Sequence, residues 1–387
     1  MGASLQTTLL GSKNSRLFIL DLARCIAMIM MVQGHTIDAL THPQVLNTAE
    51  FPWNIWNFIR GLTAPIFLMV SGAVHVFAMK REPSGRMNND TMIRRIRWAL
   101  ILISVGYLLV FPANRIFDLP FLNYDAWRLF FQANILQLTG LSLLFVVWVC
   151  RSFYSVRSLG IAALIISLSI FILTPFVHAV HWFQFLPEPI SAFLSYQHGS
   201  LFPIFPFAGF LFMGVSLGAY LKQLEPAERD NFLLKKSAII GLGLTFAAGI
   251  AAFALSKLPL PQHDFMMSNP AFMLIRVGLI FIFFSLTAWM HKKLYRFREL
   301  YAFFSAKSFH VYILHLIIIY GTPWFSSFGR IYGKSQSIEV SALAALLVIA
   351  VTLSSIYLLE YIQKNVYRAP EIIRFSLGTI IVYALLR

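Results

Sequence analysis

The chain has 387 residues, of which 58% are hydrophobic and only 12% charged, with a formal net charge of +15. Soluble domains carry about twice that charged fraction, so a soluble globular enzyme is excluded, and repeated apolar runs near 20 residues identify an all-α, polytopic membrane protein. The surplus positive charge sits between apolar runs, which excludes nucleic acid as a partner, and two cysteines, Cys25 and Cys150, offer neither a disulfide framework nor a metal-ligand spacing.

Residues 1–15 read as a short cytoplasmic tail. The first apolar run, RLFILDLARCIAMIMMVQGH from Arg16 to His35, lacks a small-residue cleavage site and is read as a retained helix. It carries Asp21, Arg24, Gln33 and His35. Ionisable groups at membrane depth are costly and mark function by default. At about 100° per helical residue, Arg24 and His35 fall within roughly 20° of one face, and the rise separates them by about 16 Å. The bland alternative is a structural Asp21–Arg24 pair with an interfacial His35.

Further apolar runs are expected near 58–79, 95–112, 128–150, 158–177, 201–221, 237–255, 272–290, 308–325 and 339–359, with a shorter one at 372–386 that either spans or lies in the interface. The sum is ten or eleven transmembrane helices in a single domain over residues 1–387. Placing the N-terminus inside assigns most of the 31 lysines and arginines to the cytoplasm, from Lys13 and Arg16 through the 80–97 loop to Arg374. His35 then stands at the outer end of its helix. The outer loops 36–57 and 178–200 carry no lysine or arginine but hold Trp53, Trp56 and Trp182, which suit either sugar stacking or an ordinary interfacial belt.

Several residues invite chemistry. His35 can act as a general base, with Asp38 in reach of its other ring nitrogen if the helix continues that far. Arg94, Arg95 and Arg97 precede a membrane helix, where guanidinium groups and free N–H donors suit phosphate; plain positive-inside topology or lipid headgroups are the alternative. Arg60 lies at a helix on the outer side, His198 stands upstream of the glycine-bearing run 202–221, and His315 lies within SFHVYILHLIIIYG. These three are candidate substrate contacts. No metal-ligand spacing and no Gly-rich phosphate loop is present.

RLFILDLARCIAMIMMVQGH, with arginine, ten residues, then histidine, resembles the opening helix of the transmembrane acyltransferase superfamily, including the acyltransferase-3 family. NFIRGLTAPIFLMVSGAVHVFAMKR and FPIFPFAGFLFMGVSLG resemble the bacterial relatives of heparan-α-glucosaminide N-acetyltransferase, and AKSFHVYILH is similar to an S-x-x-x-Y-x-x-H helix of these groups. The resemblance implies transfer of an acetyl or other acyl group from cytosolic acyl-CoA to a sugar on the far side. It implies His35 as catalytic histidine, Arg24 as its motif partner, and Arg94 and Arg95 as contacts for the CoA phosphates. Those relatives often end the first helix in asparagine with histidine further on; here His35 holds that end and His42 follows, so transfer to amine or to hydroxyl stays open. The separation of about 16 Å between Arg24 and His35 matches an extended pantetheine arm. Membrane lipids and a second copy of the chain, as a homodimer, are further candidate partners, and a bacterial plasma (inner) membrane is the expected location. A proton- or anion-coupled transporter or flippase using Asp21, Arg24 and His35 is the competing reading, with a scaffold subunit of a polysaccharide assembly behind it.

Overall fold

The computed structural model describes residues 16–258 and 265–387; the expected N-terminal tail, with Lys13, lies outside the described residues. Among the described residues no strand forms, and β-type pairing is confined to isolated bridges such as Thr41 with Gln336. The longer helices are α1 (Phe18–Leu40), α2 (Trp53–Arg60), α3 (Thr63–Phe77), α4 (Asn89–Leu109), α5 (Tyr124–Phe131), α6 (Ile135–Ser152) and α7 (Val156–His178). They continue as α8 (Ile204–Lys222), α9 (Pro226–Leu255, with a π turn at Phe232–Lys236), α10 (Pro270–Lys293), α11 (Arg298–Ala306), α12 (Ser308–Tyr320), α13 (Ile338–Asn365) and α14 (Ala369–Leu386).

Among the described residues nine spans are long and apolar enough to cross a membrane, counting α2 and α3 as one, and the pair of Tyr295–Ala306 with Ser308–Tyr320, bent by 64°, makes up to ten. The chain is therefore an all-α, multi-pass membrane protein. Three details differ from the sequence reading. The expected span at 95–112 is carried by α4, whose first turns hold Arg94, Arg95 and Arg97, leaving it less uniformly apolar than the other spans. The run at 128–150 divides at Gln132–Asn134, because α5 is a short amphipathic helix with a polar face of its own. The run at 372–386 belongs to the 18-residue α14, long enough to cross.

Two compact units divide the chain, one of Met1–Arg24, Ala64–Gly106 and Gln132–Ala302, the other of Cys25–Thr63, Tyr107–Phe131 and Phe303–Arg387. In the first, α8 is the buried centre, with 78% of its apolar window inside the protein, whereas α9 has 17% and turns most of its surface outward. Lipid gives helices no hydrophobic reason to associate, so close packing must do it. Gly72 of α3 and Gly214 and Gly218 of α8 supply that: a Cβ on Gly214 would overlap the Met69 carbonyl, and one on Gly72 the Leu211 carbonyl. The Ser167 hydroxyl of α7 donates to the Gly209 carbonyl at 2.8 Å, tying a third helix to α8.

In the second unit the C-terminal end of α1 is closed by a distant segment. Helix C-termini leave carbonyls without intrahelical partners. Here the Lys334 amide donates to Ala39 O and the Gln336 amide to Leu40 O, both at 3.0 Å, while Lys334 Nζ reaches Asp38 O at 2.5 Å. Below this clamp, Ile37 and Leu46 pack with Ala345 of α13, against Trp53, Trp56 and Ile338. Helix α12 stops after Tyr320 because Gly321 takes φ +74° and ψ −168°, a region essentially closed to other residues, and its amide returns to Leu316 O and Ile317 O.

Candidate active site

The helix bearing His35 runs unbroken through Leu40, so His35 and Asp38 both lie on its last turns. His35 is half-buried, and its Nδ1 stands 3.2 Å from the Tyr320 hydroxyl at the end of α12. That hydroxyl is the sole hydrogen-bonding partner of the ring among the described residues. The His35 ring also meets His315 edge-on, with centroids 5.5 Å apart. His315 is fully buried; its Nδ1 donates to Val311 O at 2.8 Å, which fixes the proton there and leaves Nε2 as a lone-pair nitrogen with no partner. Helix periodicity puts Val311 one turn below His315, so this bond follows from the local fold.

Asp38 makes no hydrogen bond to His35 among the described residues. Its carboxylate lies 3.3 Å from Arg60 Nη1 and 3.6 Å from Lys334 Nζ, an ion triad beside the histidine. Arg60 is held further by the Trp56 ring, 5.0 Å below its guanidinium, and by the Gly34 carbonyl at 3.5 Å. Gly34 matters sterically, since a Cβ there would come within 2.8 Å of the Arg60 side chain. His35, Asp38, Arg60 and His315 therefore meet in one unit, joined by Tyr320 and Lys334, which the sequence reading did not single out.

Arg24 belongs to the other unit. The bland expectation of an Asp21–Arg24 pair is replaced by a different one: Asp21 binds Arg16 at 2.8 Å, and Arg16 also donates to Ala302 O at 2.7 Å. Arg24 forms no ion pair or hydrogen bond among the described residues, and its Nε is buried. His198 is likewise in the first unit, clasped by Glu188 at 2.9 and 3.0 Å and stacked on Phe183 at 3.5 Å. It is held by the loop that precedes α8.

The basic loop yields a cation cluster at the C-terminal end of α3. Lys222 Nζ donates to Val76 O at 2.8 Å and Met79 O at 3.2 Å, and Arg95 Nη2 reaches Ala78 O at 3.5 Å. Arg229 stands 5.1 Å over the Phe77 ring, and Arg81 donates to Phe153 O and Tyr154 O at 2.8 Å. Cations favour a helix C-terminus because its carbonyls point outward. Burial lowers the Arg81 guanidinium from its ordinary value, though an arginine stays protonated regardless. Among the described residues none of these four cations pairs with a carboxylate, so they retain capacity for an anion. Arg94 and Arg97 are exposed, and only Arg95 of the three joins the cluster. Lys222 and Arg229 are far along the chain from the 80–97 loop, and only their charge could have marked them.

A family model described as heparan-alpha-glucosaminide N-acetyltransferase, catalytic, matches residues 16–247. That range covers α1 with His35, the basic loop and α8. No curated protein matches the chain.

Proposed function

The chain belongs to the heparan-alpha-glucosaminide N-acetyltransferase catalytic family, membrane-embedded acetyltransferases, and on that premise we propose that it moves an acetyl group from cytosolic acetyl-CoA to an amine or hydroxyl of a glycan outside a plasma membrane. The observation that carries this reading is His35 near the end of α1, held at one ring nitrogen by Tyr320 and, among the described residues, without a hydrogen bond at Nε2. Such a group can receive a proton. The acceptor N–H or O–H gives its proton to His35 Nε2 as the heteroatom attacks the thioester carbonyl. Collapse of the tetrahedral adduct breaks the C–S bond, and the departing thiolate takes the proton back from His35.

Arg60 and His315, grouped with His35 in the same unit, are the proposed acceptor contacts, with Asp38 paired to Arg60. Arg24, whose Nε is buried without a partner, is the proposed polar contact along α1. The donor phosphates are assigned to Arg95 with Lys222 and Arg81, and Arg94 and Arg97 add field strength from the exposed side. With the N-terminus cytoplasmic, these cations face the compartment that holds the donor.

The reading is tested with purified protein in proteoliposomes, labelled acetyl-CoA on one side and a glucosamine-terminated oligosaccharide on the other. Acetylated product is expected on the acceptor side, and mild alkali separates an ester, which it cleaves, from an amide, which survives. Absence of product with every amine and hydroxyl acceptor at saturating donor would overturn it. Replacing both Arg95 and Lys222 with glutamine is expected to raise the donor KM by about tenfold or more, the scale of losing one or two charge-assisted bonds, with turnover at saturation retained; initial rates over a donor titration check this.

A further inference from the structure

We propose that Tyr320 is the positioning residue of this site: its hydroxyl oxygen accepts a hydrogen bond from His35 Nδ1–H, which locks the ring in the tautomer whose Nε2 is free to take a proton. The inference rests on the acetyltransferase reading for its consequence, but its structural content stands apart from it.

The ring has two nitrogens, and the hydrogen bond at one decides what the other can do. Tyr320 is the partner at Nδ1, at 3.2 Å, with the two rings nearly perpendicular at 85° and 5.8 Å between centroids. A phenol can donate or accept, so the direction needs an argument. Asp38 lies three residues beyond His35 on α1, with Arg60 paired to it at 3.3 Å, so a carboxylate stands at the helix end that Tyr320 meets. A carboxylate draws the phenolic hydrogen toward itself, which turns an oxygen lone pair toward His35. The other neighbours offer no competing hydrogen bond. His315 has its proton committed to Val311 O and meets His35 only ring to ring, Tyr312 packs on His315, and Arg60 and Lys334 are engaged with Asp38.

The placement of Tyr320 is itself over-determined. Helix α12 ends there because Gly321 adopts φ +74°, and a Cβ on Gly321 would come 2.5 Å from Phe325 O. The hydroxyl is thus delivered to His35 by a fixed helix end and not by a loop.

The direct test uses full-length protein in nanodiscs with ¹⁵N-labelled histidine, His35 being assigned by its absence in His35→Gln. The wild-type His35 is expected to carry its proton on Nδ1 when neutral, and in Tyr320→Phe the proton is expected to shift to Nε2 or to divide between the two. A wild-type ring protonated at Nε2 overturns the proposal whatever the activity shows. In acetyl-transfer assays Tyr320→Phe is expected to lower kcat about tenfold, the free energy of one hydrogen bond, with the donor KM unchanged. The acid limb of its kcat/KM profile should move to lower pH, because the lost acceptor had stabilised the imidazolium. A limb that moves to higher pH, or does not move, overturns the proposal, since a hydroxyl that donated would leave the opposite sign. Wild-type protein that shows the Nδ1 proton yet transfers no acetyl group leaves the positioning role standing and overturns the assigned function alone.

Discussion

Replacing His35 with alanine is expected to lower acetyl transfer by about 10²–10⁴-fold, the usual contribution of a positioned general base. The structure gives reason to expect a chemical loss and not a collapse. His35 is half-buried and makes a single hydrogen bond, to Tyr320, whereas the packing of α1 rests on fully buried neighbours such as Leu20, Ala23, Ala27 and Met28. Donor affinity, measured by calorimetric titration with acetyl-CoA, should stay within about twofold of wild type, because a base acts on the transition state and contributes little to ground-state binding. Labelled acetyl transfer in proteoliposomes at saturating donor is the deciding measurement. Undiminished turnover would remove His35 from the chemistry.

The second large effect is structural. Gly214→Leu is expected to destabilise the protein by about 3 kcal/mol or more, at or beyond the upper end of ordinary overpacking. The reason is the identity of the obstacle. A Cβ at Gly214 would collide with the backbone carbonyl of Met69 on the facing helix, which cannot swing aside as a side chain does. Helices α3 and α8 would have to separate, and Met69, Val70, Ala73 and Val76, all at 0% exposure, would lose their contacts. Thermal unfolding in detergent checks this, with Gly243→Leu as control, since a Cβ there meets nothing within 4 Å. Equal unfolding temperatures for the two variants would show that the crossing does not depend on contact between backbones.

Much of this architecture could be read from apolar run length, because a spanning helix must satisfy its own backbone and so leaves a run of about twenty apolar residues. The first run shows why its ends were harder: the helix continues five residues past His35 to Leu40, through Thr36 and Asp38, since its last carbonyls are capped from elsewhere. The break at Gln132–Asn134 was hidden because α5 ends in Leu129, Phe130 and Phe131, which read as the opening of the apolar span that follows. In the site, His35, Asp38, Arg60 and His315 announced themselves as ionisable groups beside apolar runs. Tyr320 did not, since a tyrosine before a glycine at a helix end is ordinary, and its partner lies 285 residues away. Asp38 was legible as a residue, but its partners were not. Three residues from His35 on the same helix, it turned instead to Arg60 and Lys334, whose positions depend on how distant segments return to it. Arg95 differs from Arg94 and Arg97 for a similar reason: all three have the same charge, but only one points at the carbonyl end of α3.

The clamp of Lys334 and Gln336 on the last carbonyls of α1 joins segments 296 residues apart. A ribosome threads out the histidine-bearing helix 296 residues before the segment that closes its last turn. Until that segment arrives, the growing polypeptide holds His35 and Asp38 without Tyr320 and Lys334, two of the partners they meet in the finished fold. A chain aborted before Tyr320 emerges therefore cannot arrange the groups around His35.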